Sequence, residues 1–205
     1  MKDFPIYTCS DGIASLILRE IPYRQEGYIL LRSVFTDVPS LVRTCAGACR
    51  AAGAERIYCS GGFDLSAYPI HARLVLRHIA TAALPETSAV AVPILTEERA
   101  QWTQLHRERF SAVAMAASCV CAENACWIEE NGCRIGLGHF HGSQLDSFAA
   151  LVAGKGQDCL CALAREMHTQ TAELLCAVEN RPAMRLYDRL GFSVGTLREV
   201  WHTVG

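Results

Sequence analysis

From Leu174 to Val178 the chain reads LLCAV, an unbroken apolar run that suits a fully buried strand. A short helix follows almost at once. Between Pro182 and Leu190 the residues Ala183, Leu186, Tyr187 and Leu190 fall at i, i+3, i+4 and i+7, and Gly191 supplies the stop. A strand handing over to a helix is the building unit of α/β proteins, and the rest of the chain keeps that alternation. ACWIEENGCRIGLGHF reads as a hairpin about Asn131-Gly132, the dipeptide suited to a type I′ turn. Gln144 to Val152 reads as another strand, and Asp158 to His168 as a helix carrying Leu160, Leu163, Ala164 and Met167 on one face.

The first half reads similarly. IASLILREIPYRQEGYILLRSV suggests two strands about a turn at Gln25-Glu26-Gly27. A helix from Pro39 to Ala52 has Asp37 as its cap and Gly53 as its stop, and RIYCS, Arg56 to Ser60, is a strand. A second helix is expected from Ala67 to Ile79, a short strand within Pro85 to Leu95, and a polar helix capped by Thr96. FSVGTLREVWHTV closes the chain as a strand or hairpin. The expected fold is an α/β protein, an α+β sandwich with a mixed sheet flanked by helices. Both halves run strands, helix, strand, helix, strand, and CRAAGAERIYCS parallels AREMHTQTAELLCAV, so the N-terminal half, residues 1–88, reads as a degenerate copy of residues 89–205.

Composition narrows the function. The 205 residues are 51% hydrophobic and 20% charged with a net charge of −2, which excludes a disordered chain and gives no reason to expect a nucleic-acid partner. Eleven cysteines are scattered through apolar runs, as in a reducing compartment. The N-terminal residues lack the apolar stretch of a signal peptide, and the run from Ser111 to Ala122 is too short for a bilayer, so a cytoplasmic protein without membrane partners is expected. Cys119, Cys121, Cys126 and Cys133, with His139 and His141, have the residue types of a zinc site but not paired C-x-x-C knuckles, so no metal is expected. The mixed charges from Glu97 to Arg109 fit a solvated helix face.

AVENRPAMRLYDRLGF, Ala177 to Phe192, resembles the late strand and helix of the GNAT superfamily of N-acetyltransferases through Val178, Asn180, Ala183, Leu186, Tyr187, Gly191 and Phe192. The likeness extends more weakly back to about Val90. It implies a GNAT-like sheet and transfer of an acetyl group from acetyl-CoA to an amine, on a small molecule or a protein, by direct attack. In that family the turn before a central helix holds the cofactor's diphosphate, because unpaired N–H groups and the helix dipole favour an anion there. The matching residues are Gly154, Lys155, Gly156, Gln157 and Asp158, where Ala153 replaces the family's Gln or Arg and Asp158 its last Gly or Ala. Asp158 either caps its own helix and spoils the cradle or points aside and leaves the amides open.

The resemblance further implies that Phe148, Ala150, Asn180 and Ala183 line the cofactor, the Phe148 N–H polarising the thioester carbonyl. Tyr187 would be both a cofactor contact and the general acid toward the departing thiolate, its ordinary pKa near ~10 suiting that role. Asp146, His139 and His141 are candidate bases, Asp146 foremost. A catalytically lapsed binding or assembly module is the alternative, favoured by Ala153 and Asp158. The oligomeric state stays open, a homodimer among the options.

Overall fold

A computed structural model describes residues 5–110 and 125–204. The chain divides into two compact units, Met1–Arg73 with Leu197–Gly205, and Leu74–Thr196. Among the described residues no helix is long and apolar enough to cross a membrane.

In the first unit, β1 (Ile6–Cys9), β2 (Gly12–Ile17) and β3 (Glu26–Val34) form an antiparallel meander. Helix α2 (Val38–Ala51) then crosses over to β4 (Arg56–Ser60), which runs parallel to β3. The Asp37 carboxylate caps α2 by accepting the Ser40 N–H at 2.8 Å. Leu41, Val42, Cys45, Ala46 and Cys49 are buried on one face of α2, against Ala14, Leu16, Ile29, Leu31 and Ile57. β11 (Thr196–Thr203) adds antiparallel to β4 through His202–Cys59 and Thr203–Tyr58. The expected turn at Gln25-Glu26-Gly27 is instead one turn of helix, α1 (Ile21–Arg24). Pro22 presets its φ, and Gln25 ends it in the left-handed region at φ +57° before β3 begins at Glu26.

The second unit carries β5 (Ile70–Ala80) for most of its length, then β6 (Val90–Pro93), helix α3 (Arg99–Arg109), β7 (Ala125–Glu130), β8 (Cys133–His141), β9 (Gln144–Ala150), helix α4 (Gly156–Glu166), β10 (Thr171–Ala177) and helix α5 (Arg181–Leu190). Its strand order is β5-β10-β9-β8-β7-β6. The expected helix from Ala67 to Ile79 is contradicted. That stretch holds β5, because Ala72, Leu74, Arg77 and Ile79 are buried while Arg73, His78 and Ala80 face out, close to a two-residue period that α-helix cannot satisfy. Thr96 is not the helix cap either: a short 3₁₀ turn at Thr96–Glu98 precedes α3, with the Glu98 carboxylate accepting the Leu95 N–H. The strand over Leu174–Val178 is real but buried on one side only. Ala172, Leu174 and Cys176 pack with residues of α4 and α5, and the alternate residues are half-buried. The hairpin turn is as read, with Asn131 at φ +51° and Gly132 at +76°.

Helix α4 reaches the sheet closely because β8 carries Gly136 and Gly138 on the facing side. A Cβ at Gly136 would stand 2.3 Å from Cys159 Sγ and 2.8 Å from the Ala149 carbonyl oxygen; one at Gly138 would meet a Leu163 methyl at 2.5 Å. Opposite, Trp102 of α3 packs with Trp127 and Leu137.

Burial pushes the Cys45, Cys59, Cys126 and Cys159 thiols up to about 12. Because the raised pKa belongs to the folded state, the linked stability is whole below the unfolded value near 9.0 and drains away as pH climbs toward 12. Urea midpoints are therefore expected to fall between pH 8 and about pH 10.5; equal midpoints would refute the linkage.

Candidate functional site

Strands β9 and β10 start side by side and then separate. They pair in parallel only at Gln144–Glu173 and Leu145–Leu174. Beyond that, β9 remains bound to β8 as far as Ala150, and β10 to β5 as far as Ala177. A wedge thus opens between the carboxyl ends of two parallel strands, the place where open α/β sheets accept ligands.

The predicted cofactor residues gather at this wedge. Phe148 and Ala150 on β9 and Ala183 and Tyr187 on α5 join one apolar cluster, with the Phe148 and Tyr187 rings 6.3 Å apart edge to face. The β9–α4 turn closes through the Lys155 N–H on the Val152 carbonyl, and inside it Gly154 has a φ of +83° that suits glycine. Gly156 lies beside α5, since a Cβ there would sit 3.5 Å from a Leu186 methyl. The first amides of α4, those of Gly156, Gln157 and Asp158, have no intrahelical acceptor. Asn180 caps α5 by accepting the Ala183 N–H at 3.3 Å.

Of the two orientations open for Asp158, the structure has the sideways one. Its carboxylate accepts the Thr87 hydroxyl at 2.9 Å and lies 3.3 Å from Lys155 Nζ, and among the described residues no side chain caps α4. Lys155 also meets Glu130 at 2.7 Å. The Glu130 and Asp158 carboxylates hold the Lys155 ammonium above its usual pKa, and the lysine lowers that of Glu130 in return. The turn therefore carries one cation between two anions.

Tyr187 is 6% exposed, and burial first, then Cys176, raises its phenol well above the ordinary value, so it stays protonated and the expected match between an ordinary phenol and a thiolate does not hold in this site. Arg77, 3% exposed on β5, fixes the end of α5 beneath it. Its guanidinium donates to Asp188 (2.7 Å) and to the carbonyls of Phe192 (3.2 Å) and Ser193 (2.7 Å), a cation placed where a helix C-terminus favours one. Its Cζ lies 5.9 Å from the centre of the Tyr187 ring.

The opposite side of β9 holds two histidine pairs. The register to β8 steps from Phe140–Leu145 to His139–Ser147, so Asp146 is the extra residue of a β-bulge, a feature that re-aims side chains. Asp146 Oδ2 lies 3.0 Å from His139 Nδ1, both side chains being nearly inaccessible at 5% and 1% exposure. The contact has the distance but not the direction of a hydrogen bond, and neither ring nitrogen of His139 is hydrogen-bonded among the described residues. A buried imidazole left this way is unusual in a settled core. Next to it, His106 Nε2 is 2.7 Å from Ser147 Oγ, its ring stacked on Trp102 and tilted against Phe110.

His141 is exposed at the end of β8 and joins neither pair. Cys126 is buried on β7, Cys133 exposed at the start of β8, and Cys119 and Cys121 lie outside the described residues. Sequence reasoning missed His106, Ser147, Arg77, Glu130 and Thr87. The one local signal was His106 four residues after Trp102, which puts two rings on one face of an otherwise polar helix.

No protein-family profile matches the sequence, and no curated protein matches it. Solved structures match nearly throughout. A functionally unknown conserved protein from Staphylococcus epidermidis has 12% identity and a TM-score of 0.64, over 98% of this chain and 93% of that one. A GCN5-related N-acetyltransferase from Kribbella flavida has 15% identity and a TM-score of 0.60, over 98% and 89%. Another from Sphaerobacter thermophilus has 15% identity and a TM-score of 0.53, over 95% and 76%. The chain has a GNAT-like fold, as the strand and helix around Asn180 and Tyr187 implied.

Proposed function

We propose that this chain is an acyltransferase that moves an acetyl group from acetyl-CoA to an amine, on a small molecule or a protein. The observation that carries the reading is the parting of β9 from β10 after two residue pairs, beside the turn that opens α4 and the helix that bears Tyr187. The residues present fit the cofactor: the opening amides of α4 are not taken by Asp158, and Gly154 and Gly156 carry no side chain to obstruct a diphosphate. Asn180 and Ala183 would hold the pantetheine arm, and the Phe148 N–H would face the carbonyl oxygen.

When bound, acetyl-CoA supplies an activated thioester. His139, backed by the Asp146 carboxylate, is buried on the far side of β9 and takes the ammonium's proton through intervening water rather than by direct contact. The amine nitrogen then bonds to the acyl carbon as the carbon–sulfur bond breaks and the sulfur leaves with the bonding pair; Tyr187 gives its proton to that thiolate, the extra proton of the acylated nitrogen restores the phenol, and His139 releases its proton to solvent.

One observation favours the alternative of a lapsed module: Lys155 is already held by two carboxylates, so an anion at the turn meets net negative charge. Calorimetry with acetyl-CoA and mass spectrometry of an amine mixture test both readings. Binding with acetylated product is expected, and Asp158→Asn is expected to tighten binding by roughly three- to tenfold, the scale of one half-exposed charge contact. Failure to bind at millimolar acetyl-CoA would discard the transferase.

A further inference from the structure

The first unit repeats the plan of the second and has a cavity of its own where the plan would put a ligand. An antiparallel meander, a crossover helix and a parallel strand recur as β1-β2-β3-α2-β4 and as β7-β8-β9-α4-β10. The corresponding strands β3 and β9 each carry a bulge. In β3 the register to β2 steps from Ile13–Ser33 to Ala14–Leu31, which makes Arg32 the extra residue, as Asp146 is in β9.

The cavity arises because β4 stops short. Its last pair with β3 is Leu30–Ser60, and β3 continues to Val34. Strand β11 is matched to β4 only at His202–Cys59 and Thr203–Tyr58. Between Leu30–Arg32 on one side and Leu197–Val200 on the other lies a cavity of about 870 Å³, floored by Ser60, Gly61 and Gly62. It lies beyond the carboxyl end of a parallel strand, and its volume is that of a small-molecule site.

The lining states what would fit. Phe63, Leu65, Tyr68, Ile70 and Val200 give apolar walls, and Ile70 and Leu197 are each 55% exposed. Two guanidinium groups have donors to spare. Arg32 spends only Nε, on Ser15 Oγ at 3.2 Å, and Arg198 makes no hydrogen bond or ion pair with the described residues. The two carboxylates are partly engaged: Asp64 accepts the Ser66 N–H at 2.9 Å and Glu199 the Trp201 indole N–H at 3.0 Å. His202 Nδ1 lies 2.9 Å from the Tyr68 carbonyl, which can only accept, so this nitrogen carries the proton and Nε2 is left as an acceptor.

We propose that this cavity binds an apolar α-amino acid, free or as the C-terminal residue of a short peptide. One guanidinium group, that of Arg32 or of Arg198, takes the carboxylate in the two-pronged geometry that suits it. His202, Glu199 and Asp64 take the N–H groups, and the apolar walls take the side chain. The same acids disfavour a dianionic phosphate. The site lies wholly in the first unit and is independent of the acyl-transfer reading.

Calorimetry on the full chain with L-phenylalanine, glycyl-phenylalanine, phenethylamine and phenyl phosphate tests it. Millimolar or tighter binding of L-phenylalanine or the dipeptide, with the amine and the phosphate weaker, is expected; which of the two is tighter separates the free amino acid from the peptide end. Of Arg198→Ala and Arg32→Ala, both at exposed side chains, the one that removes the contacting guanidinium is expected to weaken binding about tenfold at unchanged thermal midpoint. The proposal falls if neither carboxylate probe binds, if the amine or the phosphate binds as tightly, or if both variants keep wild-type affinity.

Discussion

Asp146→Asn is expected to lower the turnover of amine acetylation by about two orders of magnitude or more, with acetyl-CoA affinity left within about twofold. Asparagine keeps the shape of the bulge and removes the charge that backs the His139 imidazole at 3.0 Å. A positioned base contributes roughly 10²–10⁴ in rate because the ammonium must lose its proton before nitrogen can attack. The cofactor contacts proposed above lie elsewhere, at the α4 turn and on α5, so binding and turnover should separate. Raising the pH supplies deprotonated amine without the base, and the variant is expected to recover part of its rate there. Wild-type turnover in Asp146→Asn would remove the pair from the mechanism.

The largest effect on stability is expected at Gly136. Even a single Cβ there would press Cys159 Sγ at 2.3 Å and the Ala149 carbonyl at 2.8 Å. The sulfur can turn away; the carbonyl belongs to β9, paired across to β8, and can yield only by moving the strand. Overpacking of this kind costs about 1–3 kcal/mol, and more when backbone must shift. Gly136→Val is therefore expected to lower the thermal midpoint by on the order of 10 °C. Gly136→Ala combined with Cys159→Ala is expected to recover part of the loss, since it relieves the sulfur contact and leaves the carbonyl one. A midpoint equal to wild type in Gly136→Val would mean that α4 does not lie this close to the sheet.

What could be read in advance depended on how far apart in the chain the cause and the effect lie. The Asn131-Gly132 turn, the Asp37 cap and the Gly191 stop are set by neighbouring residues and were legible. β5 was misread because LVLRHI is ambiguous by composition, and only its pairing with β10 imposes the two-residue period. The strand and helix bearing Asn180 and Tyr187 were legible as a motif, whereas the wedge before them was not, because strand parting is a tertiary event. His106 and Ser147 are 41 positions apart, and Arg77 and Asp188 are 111, separations at which no local pattern operates. The direction of Asp158 turned on Thr87, a residue from another element.

The paired glycines on β8 have a last consequence, for the mouth of the wedge. With no side-chain layer at Gly136 and Gly138, helix α4 rests almost directly on the strands, its Cys159 only three positions from Gly156. The start of the helix is thus registered against β9 before any anion arrives. A visiting diphosphate would spend little entropy on arranging its donors; the local ratio of acid to base, rather than the order of the backbone, would govern how tightly it is kept.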